Sequence, residues 1–259
     1  EARVIIEMPR HQRHVDVAGL PNGLAIVHRL QDRQEPRMFL HQPRQSIENL
    51  CPRVPRYLRP FHLLGLDVSS ELRGRVACRF ETFVGEGDYV LNSVTEIVVR
   101  AGARLDRVKL DLESSAATHL AYADVTLAKD AKLNEFTLTS GSGLNRQNGN
   151  YLFDGEYANA FIAGAYLLNG KQHADTRLVM DHKVPHCTSR EMFKCVMDEN
   201  ARGIFQGKVI VRKHAQKTDG KQSSHALLLS ESAEFDAKPE LEIYADDVVC
   251  GHGATAGDI

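Results

Sequence analysis

The chain has 259 residues, a formal net charge of −2, five cysteines and no tryptophan. That length allows one large domain or two small ones with a substantial core. The near-neutral charge removes the global field expected of a nucleic-acid or anionic-membrane binder, and no apolar run reaches the length of a bilayer-spanning helix.

Residues 1–60 carry seven prolines (Pro9, Pro21, Pro36, Pro43, Pro52, Pro55, Pro60), a density that breaks helices and central strands alike. Their basic side chains are arginines with no lysine and no aromatic interleaving, which reads as solvated surface rather than a phosphate-binding tract. Val4-Ile5-Ile6 and Leu24-Ala25-Ile26-Val27 are candidate short strands, with Pro21-Asn22-Gly23 as the turn before the second. The segment is predicted to be an irregular cap on the domain that follows.

From Phe61 onward short Val-, Leu- and Ile-rich runs alternate with Gly, Asp and Ser, a two-residue rather than a helical period. Val99-Arg100-Ala101-Gly102-Ala103-Arg104-Leu105, with Val108 and Leu110, lines up with Leu127-Ala128-Lys129-Asp130-Ala131-Lys132-Leu133, with Phe136 and Leu138. Weaker echoes run from Val211 to Ala215 and from Leu229 to Ala233. Each unit reads as strand, tight corner, strand, with alanine where backbones crowd. Such quasi-repeats predict an all-β solenoid, a right-handed parallel β-helix over residues 61–259, because each coil buries its apolar face by stacking on the next. A β-sandwich offers the same runs but no reason to repeat the alanine corner. Ser189 to Met197 is open between a helical turn and a strand.

The motifs of nucleotide chemistry and of α/β-hydrolases are absent, so no nucleotide site or serine nucleophile is expected. Ser140-Gly141-Ser142-Gly143 reads as a flexible loop. His173, His182 and His186 beside Cys187 raise a metal hypothesis, but Pro185 breaks the helix that would bring His182 and His186 together; structural roles are expected. Asp246-Asp247 face opposite sides of an extended chain and read as turn residues, as does Asp219-Gly220. The cysteines (Cys51, Cys78, Cys187, Cys195, Cys250) are scattered and odd in number, and no secretory leader is read, so reduced thiols in the cytoplasm are expected. Cys250 and His252, two positions apart among glycines, point the same way on a strand. Both are ligands for iron or zinc; a buried thiol beside a turn histidine is the alternative that the pair alone leaves open.

The run Lys238-Pro239-Glu240-Leu241-Glu242-Ile243-Tyr244-Ala245-Asp246-Asp247, followed by Cys250-Gly251-His252-Gly253-Ala254-Thr255, resembles the SufD family of the SufBCD iron–sulfur cluster assembly system. Two further blocks agree in order: Gly170 to Thr176 with Asp181-His182 and Pro185 to Arg190, then Arg202 to Lys208 leading to Gln216-Lys217-Thr218-Asp219. The likeness extends from about Phe61. It implies a β-helix core and a non-catalytic subunit that pairs with a SufB-type subunit and works with a SufC-type ATPase. It also implies a transient iron–sulfur cluster, present only in the complex, with His252 and Cys250 at the SufB interface. The family's helical N-terminal region is not recognisable here, its C-terminal helical region that docks the ATPase is not found, and Gly251 stands where serine is frequent. A carbohydrate-active β-helix enzyme, which would need an aromatic groove, and a structural homodimer are the rival readings.

Overall fold

The computed structural model describes residues 6–7, 24–30 and 76–258. The elements run β1 Ile6–Glu7, β2 Leu24–Leu30, β3 Val76–Phe83, β4 Val90–Val99, β5 Arg104–Asp111, β6 Thr118–Leu127, β7 Lys132–Thr139 and β8 Leu144–Phe153. They continue with β9 Asn159–Leu168, β10 His173–His182, β11 Thr188–Met197, β12 Arg202–Val211, β13 Asp219–Leu228, β14 Glu234–Ile243 and β15 Val249–Asp258. No helix occurs among the described residues, so Ser189 to Met197 is strand.

From β3 on, the strands are dealt alternately to two sheets. One has the order β1-β2-β4-β6-β8-β10-β12-β14, the other β15-β13-β11-β9-β7-β5-β3. Within this part every pairing is parallel, and each strand lies beside the strand two places earlier, as in Val76 opposite Arg104 and Arg104 opposite Lys132. One coil therefore returns to its starting point after roughly 30 residues, within the period range of solenoids. The architecture is a parallel β-helix, as the repeat predicted.

The corners explain why alanine recurs. Gly102, Asp130, Tyr157, His186 and Lys217 occupy the left-handed region with φ of 65°, 57°, 62°, 62° and 60°. They precede the buried Ala103, Ala131, Ala158, Cys187 and Thr218. A left-handed non-glycine residue is unfavourable, and here the ladder holds it: the Gly102 amide donates to the Lys129 carbonyl, Asp130 to Glu156 and His186 to Gln216. The backbone turns inward, and only a small side chain fits behind it. Ala215 and Ala233 are buried as well, in agreement with the weaker echoes. Ser140 to Gly143 is not a free loop but a packed corner. Ser142 has φ 64°, and a Cβ on Gly141 would lie 2.1 Å from the Glu113 amide nitrogen. Asp219-Gly220 opens β13 rather than forming a turn.

Between the sheets lies a core containing Leu105, Leu133, Phe153, Met180, Phe193, Phe205 and Val209. Phe193 and Phe205 stack across it with centroids 4.2 Å apart. β2 adds to the first sheet antiparallel to β4, and β1 pairs parallel with β2. The amino-terminal segment thus contributes strands to the solenoid; the remainder of the expected cap, with its Pro21-Asn22-Gly23 turn, lies outside the described residues.

Candidate functional site

Cys250 and His252 are the second and fourth residues of β15, which among the described strands pairs with β13 alone. The register sets Cys250 beside Gly220 and His252 beside Gln222. Side chains of a strand alternate, so both point to the face on which Ser189 and Glu191 of β11 are buried. A Cβ at Gly220 would stand at ordinary contact distance from Cys250 Sγ (3.5 Å) and Ser189 Oγ (3.4 Å) and closer to Val209 Cγ1 (3.2 Å). Cys250 is half-buried and packs against the core, whereas His252 is exposed. Burial pushes the Cys250 thiol up, with the Gly220 backbone opposing the shift in part. The sulfur is held as a thiol, and a metal must displace the proton to gain a thiolate ligand.

A Cβ at Gly251 or Gly253 would meet nothing within 4 Å, so the strand is open around the histidine. Cys250, Gly251 and His252 themselves border a hollow of about 440 Å³, lined further by Arg190, Glu191, Lys221 and Gln222. Arg190 pairs with Asp219 there. Asp246 and Asp247 lie in the bend before β15, where the Asp247 amide donates to Gln216 Oε1 at 2.9 Å and its carboxylate pairs with Lys217.

The three histidines are not brought together. His182 is fully buried, stacked on Phe153 at 4.0 Å, with Nε2 3.0 Å from Ser189 Oγ. His186 sits at a corner and stacks on Tyr157 at 4.8 Å. His173 opens β10. Cys187 is buried and donates to the Gly155 carbonyl at 3.3 Å, and burial pushes Cys195 up to about 12. Neither thiol is presented to a ligand.

Residues 66–259 match the family described as SUF system FeS cluster assembly, SufBD core domain. The chain belongs to that family. The SufD iron–sulfur cluster assembly protein of Escherichia coli is 36% identical over 188 residues, which are 72% of this chain and 44% of that protein. A SufBD-family iron–sulfur cluster assembly protein of Synechocystis is 31% identical over 171 residues, 66% of this chain and 38% of its own length. One of Mycobacterium leprae is 31% identical over 207 residues, 74% and 52% respectively. The SufBD-family chain thus spans about half or less of the length of these relatives. No helix among its described residues is long and apolar enough to cross a membrane.

Sequence reasoning missed the polar interior of this SufBD solenoid. On β5 the charged Arg107, Lys109 and Asp111 point inward and are buried, while Val108 and Leu110 lie on the outer side. Arg107 donates to Glu81 at 2.8 Å and to Glu135 at 3.0 Å, and Tyr151 donates to Glu135 at 2.9 Å. Further along the same inward row Glu191 is 2% exposed, with neither oxygen bonded among the described residues. Asp111, Glu113 and His119 form a second buried group whose ligand atoms lie within 4.8 Å of one another. The available signal was the corner repeat: Leu105 follows Ala103 as Leu133 follows Ala131, which fixes the inward parity of β5 and places the charges inside.

Proposed function

We propose that this chain is the β-helical core of a SufD-type subunit, without catalysis of its own, that supports iron–sulfur cluster assembly in the cytoplasm. In this reading it pairs with a SufB-type subunit, and the pair works with a SufC-type ATPase. The cluster is cargo rather than a resident cofactor: it forms in the complex, is held at the interface, and is passed on. The observation that carries the reading is the placement of Cys250 and His252 on one face of β15, a strand with a free edge among the described residues. A free edge accepts another strand by backbone pairing.

His252 supplies an imidazole nitrogen and Cys250, once deprotonated by the metal, a sulfur; both suit iron. Two donors from one chain leave coordination incomplete, so a second chain must contribute. That suits a scaffold that has to release what it builds. Open space around Gly251 and Gly253 admits a partner backbone close to the histidine. No nucleotide is expected on this chain, and ATP hydrolysis is assigned to the partner.

The test is His252→Ala in the assembled complex, reading cluster formation by its visible absorption. Loss of cluster with the subunits still co-purifying is the expected outcome; full cluster yield would remove the role of His252. Recovery of the chain without SufB- or SufC-type partners, as a homodimer or with carbohydrate-cleaving activity, would overturn the reading as a whole.

A further inference from the structure

Asp111 ends β5, Glu113 follows two residues later in the corner, and His119 is the second residue of β6. Their relative exposures are 0%, 5% and 0%. His119 Nδ1 lies 2.5 Å from Glu113 Oε2 and 3.8 Å from Asp111 Oδ1. Each carboxylate is anchored by neutral donors. Tyr89 donates to Glu113 Oε1 at 3.1 Å and Ser142 to Glu113 Oε2 at 3.1 Å, while Gln147 and Asn145 donate to Asp111 Oδ2 at 2.7 and 3.3 Å. Asp111 Oδ1, on the side facing the imidazole, accepts no hydrogen bond among the described residues. Its nearest cation, Lys109 Nζ, stands off at 3.5 Å and lies 5.0 Å from the centre of the Phe83 ring.

We propose that Asp111, Glu113 and His119 bind one divalent first-row transition ion inside the solenoid. Two carboxylate oxygens and one imidazole nitrogen are the donor set for zinc(II), manganese(II) or iron(II). Metal–ligand bonds of about 2.0–2.1 Å place neighbouring tetrahedral donors roughly 3.3 Å apart, and the observed 2.5 and 3.8 Å straddle that spacing. The ion takes the place of the hydrogen between His119 and Glu113 and gives Asp111 Oδ1, which has an ion pair with Lys109 but no hydrogen bond among the described residues, a direct ligand bond. The donors from Tyr89, Ser142, Gln147 and Asn145 orient the carboxylates from behind, as the outer contacts of metal sites do. A divalent ion matches the charge of the two carboxylates, and the Lys109 ammonium remains against the Phe83 ring as a cation–π partner. Because the donors are enclosed, the ion loads as the chain folds. The site is separate from Cys250 and His252: five strand spacings of about 4.8 Å, roughly 24 Å, lie between β5 and β15.

The experiment refolds the full chain with zinc(II) or cobalt(II), removes loose metal with a chelating resin, and measures bound metal, the cobalt absorption spectrum and thermal stability. A Cys250→Ala/His252→Ala double variant is expected to retain one ion per chain and a metal-dependent rise in melting temperature. Glu113→Gln and Asp111→Asn, which preserve shape, are expected to lose both. Gln147→Leu should weaken binding by roughly tenfold or more while the chain stays folded. Metal bound only when Cys250 and His252 are intact would overturn this site and leave the proposed function standing. Metal retained undiminished by Glu113→Gln and Asp111→Asn would overturn it as well.

Discussion

Glu191 shows at single-residue scale how the interior of this solenoid departs from a hydrocarbon core. Its carboxyl is enclosed without a hydrogen bond among the described residues, and burial pushes it well above the ordinary carboxylate range. Across the core, a Cβ on Gly207 would come within 3.0 Å of Glu191 Oε2 and 2.3 Å of Gln222 Oε1, so the glycine leaves these acceptors their space. An acid whose folded pKa is raised stabilises least at high pH: the unfolded chain ionises above about 4.3, and stability is lost as pH rises toward the folded value. Glu191→Gln is therefore expected to stabilise the fold at pH 8 by on the order of 1–3 kcal/mol, read as a higher urea midpoint, with little gain at pH 4. An equal change at both pH values would refute the assignment. His182 works in the opposite direction. Burial holds it at about 4, with Asp181 opposing the shift only in part. Its stabilising effect is complete above the ordinary imidazole value of about 6.5 and is lost as pH falls toward 4, by up to about 3 kcal/mol. Urea titrations of the Glu191→Gln variant at pH 7 and pH 5 isolate this effect, and adding His182→Gln should abolish the difference.

Among the elements, the corner decides most. Ala131 has no exposed surface and follows Asp130 at φ 57°. Ala131→Leu forces extra methylenes between stacked corners and should cost about 1–3 kcal/mol, read as a lower denaturation midpoint with an unchanged slope. A midpoint equal to wild type would mean that the corner has slack. These corners were legible in the sequence because alanine recurs at one place in the repeat. Strand facing was harder to read. In Leu105-Asp106-Arg107-Val108-Lys109-Leu110-Asp111, hydrophobicity alone would turn Val108 and Leu110 inward. The structure turns Arg107, Lys109 and Asp111 inward instead, because Leu105 must follow the corner into the core and parity then carries the charges with it. Ser189 to Met197 was ambiguous for a related reason: nine residues of mixed polarity satisfy either period until neighbours on both sides claim them.

At the scale of the whole molecule, stacking turns a weak repeat into an architecture, since each coil completes the core of the one before. The sequence by itself determined the all-β class, the solenoid, the corner positions and the shared face of Cys250 and His252, because these follow from local period and side-chain size. Family membership was also readable from contiguous blocks. Only the tertiary structure decided which polar side chains meet. Glu81, Arg107 and Glu135 come from three successive coils, and Asp111, Glu113 and His119 converge with Tyr89, Ser142 and Gln147 from strands and corners far apart in the chain. Their partnerships depend on register between coils, a long-range quantity set by the packing of the entire stack and invisible to any local pattern.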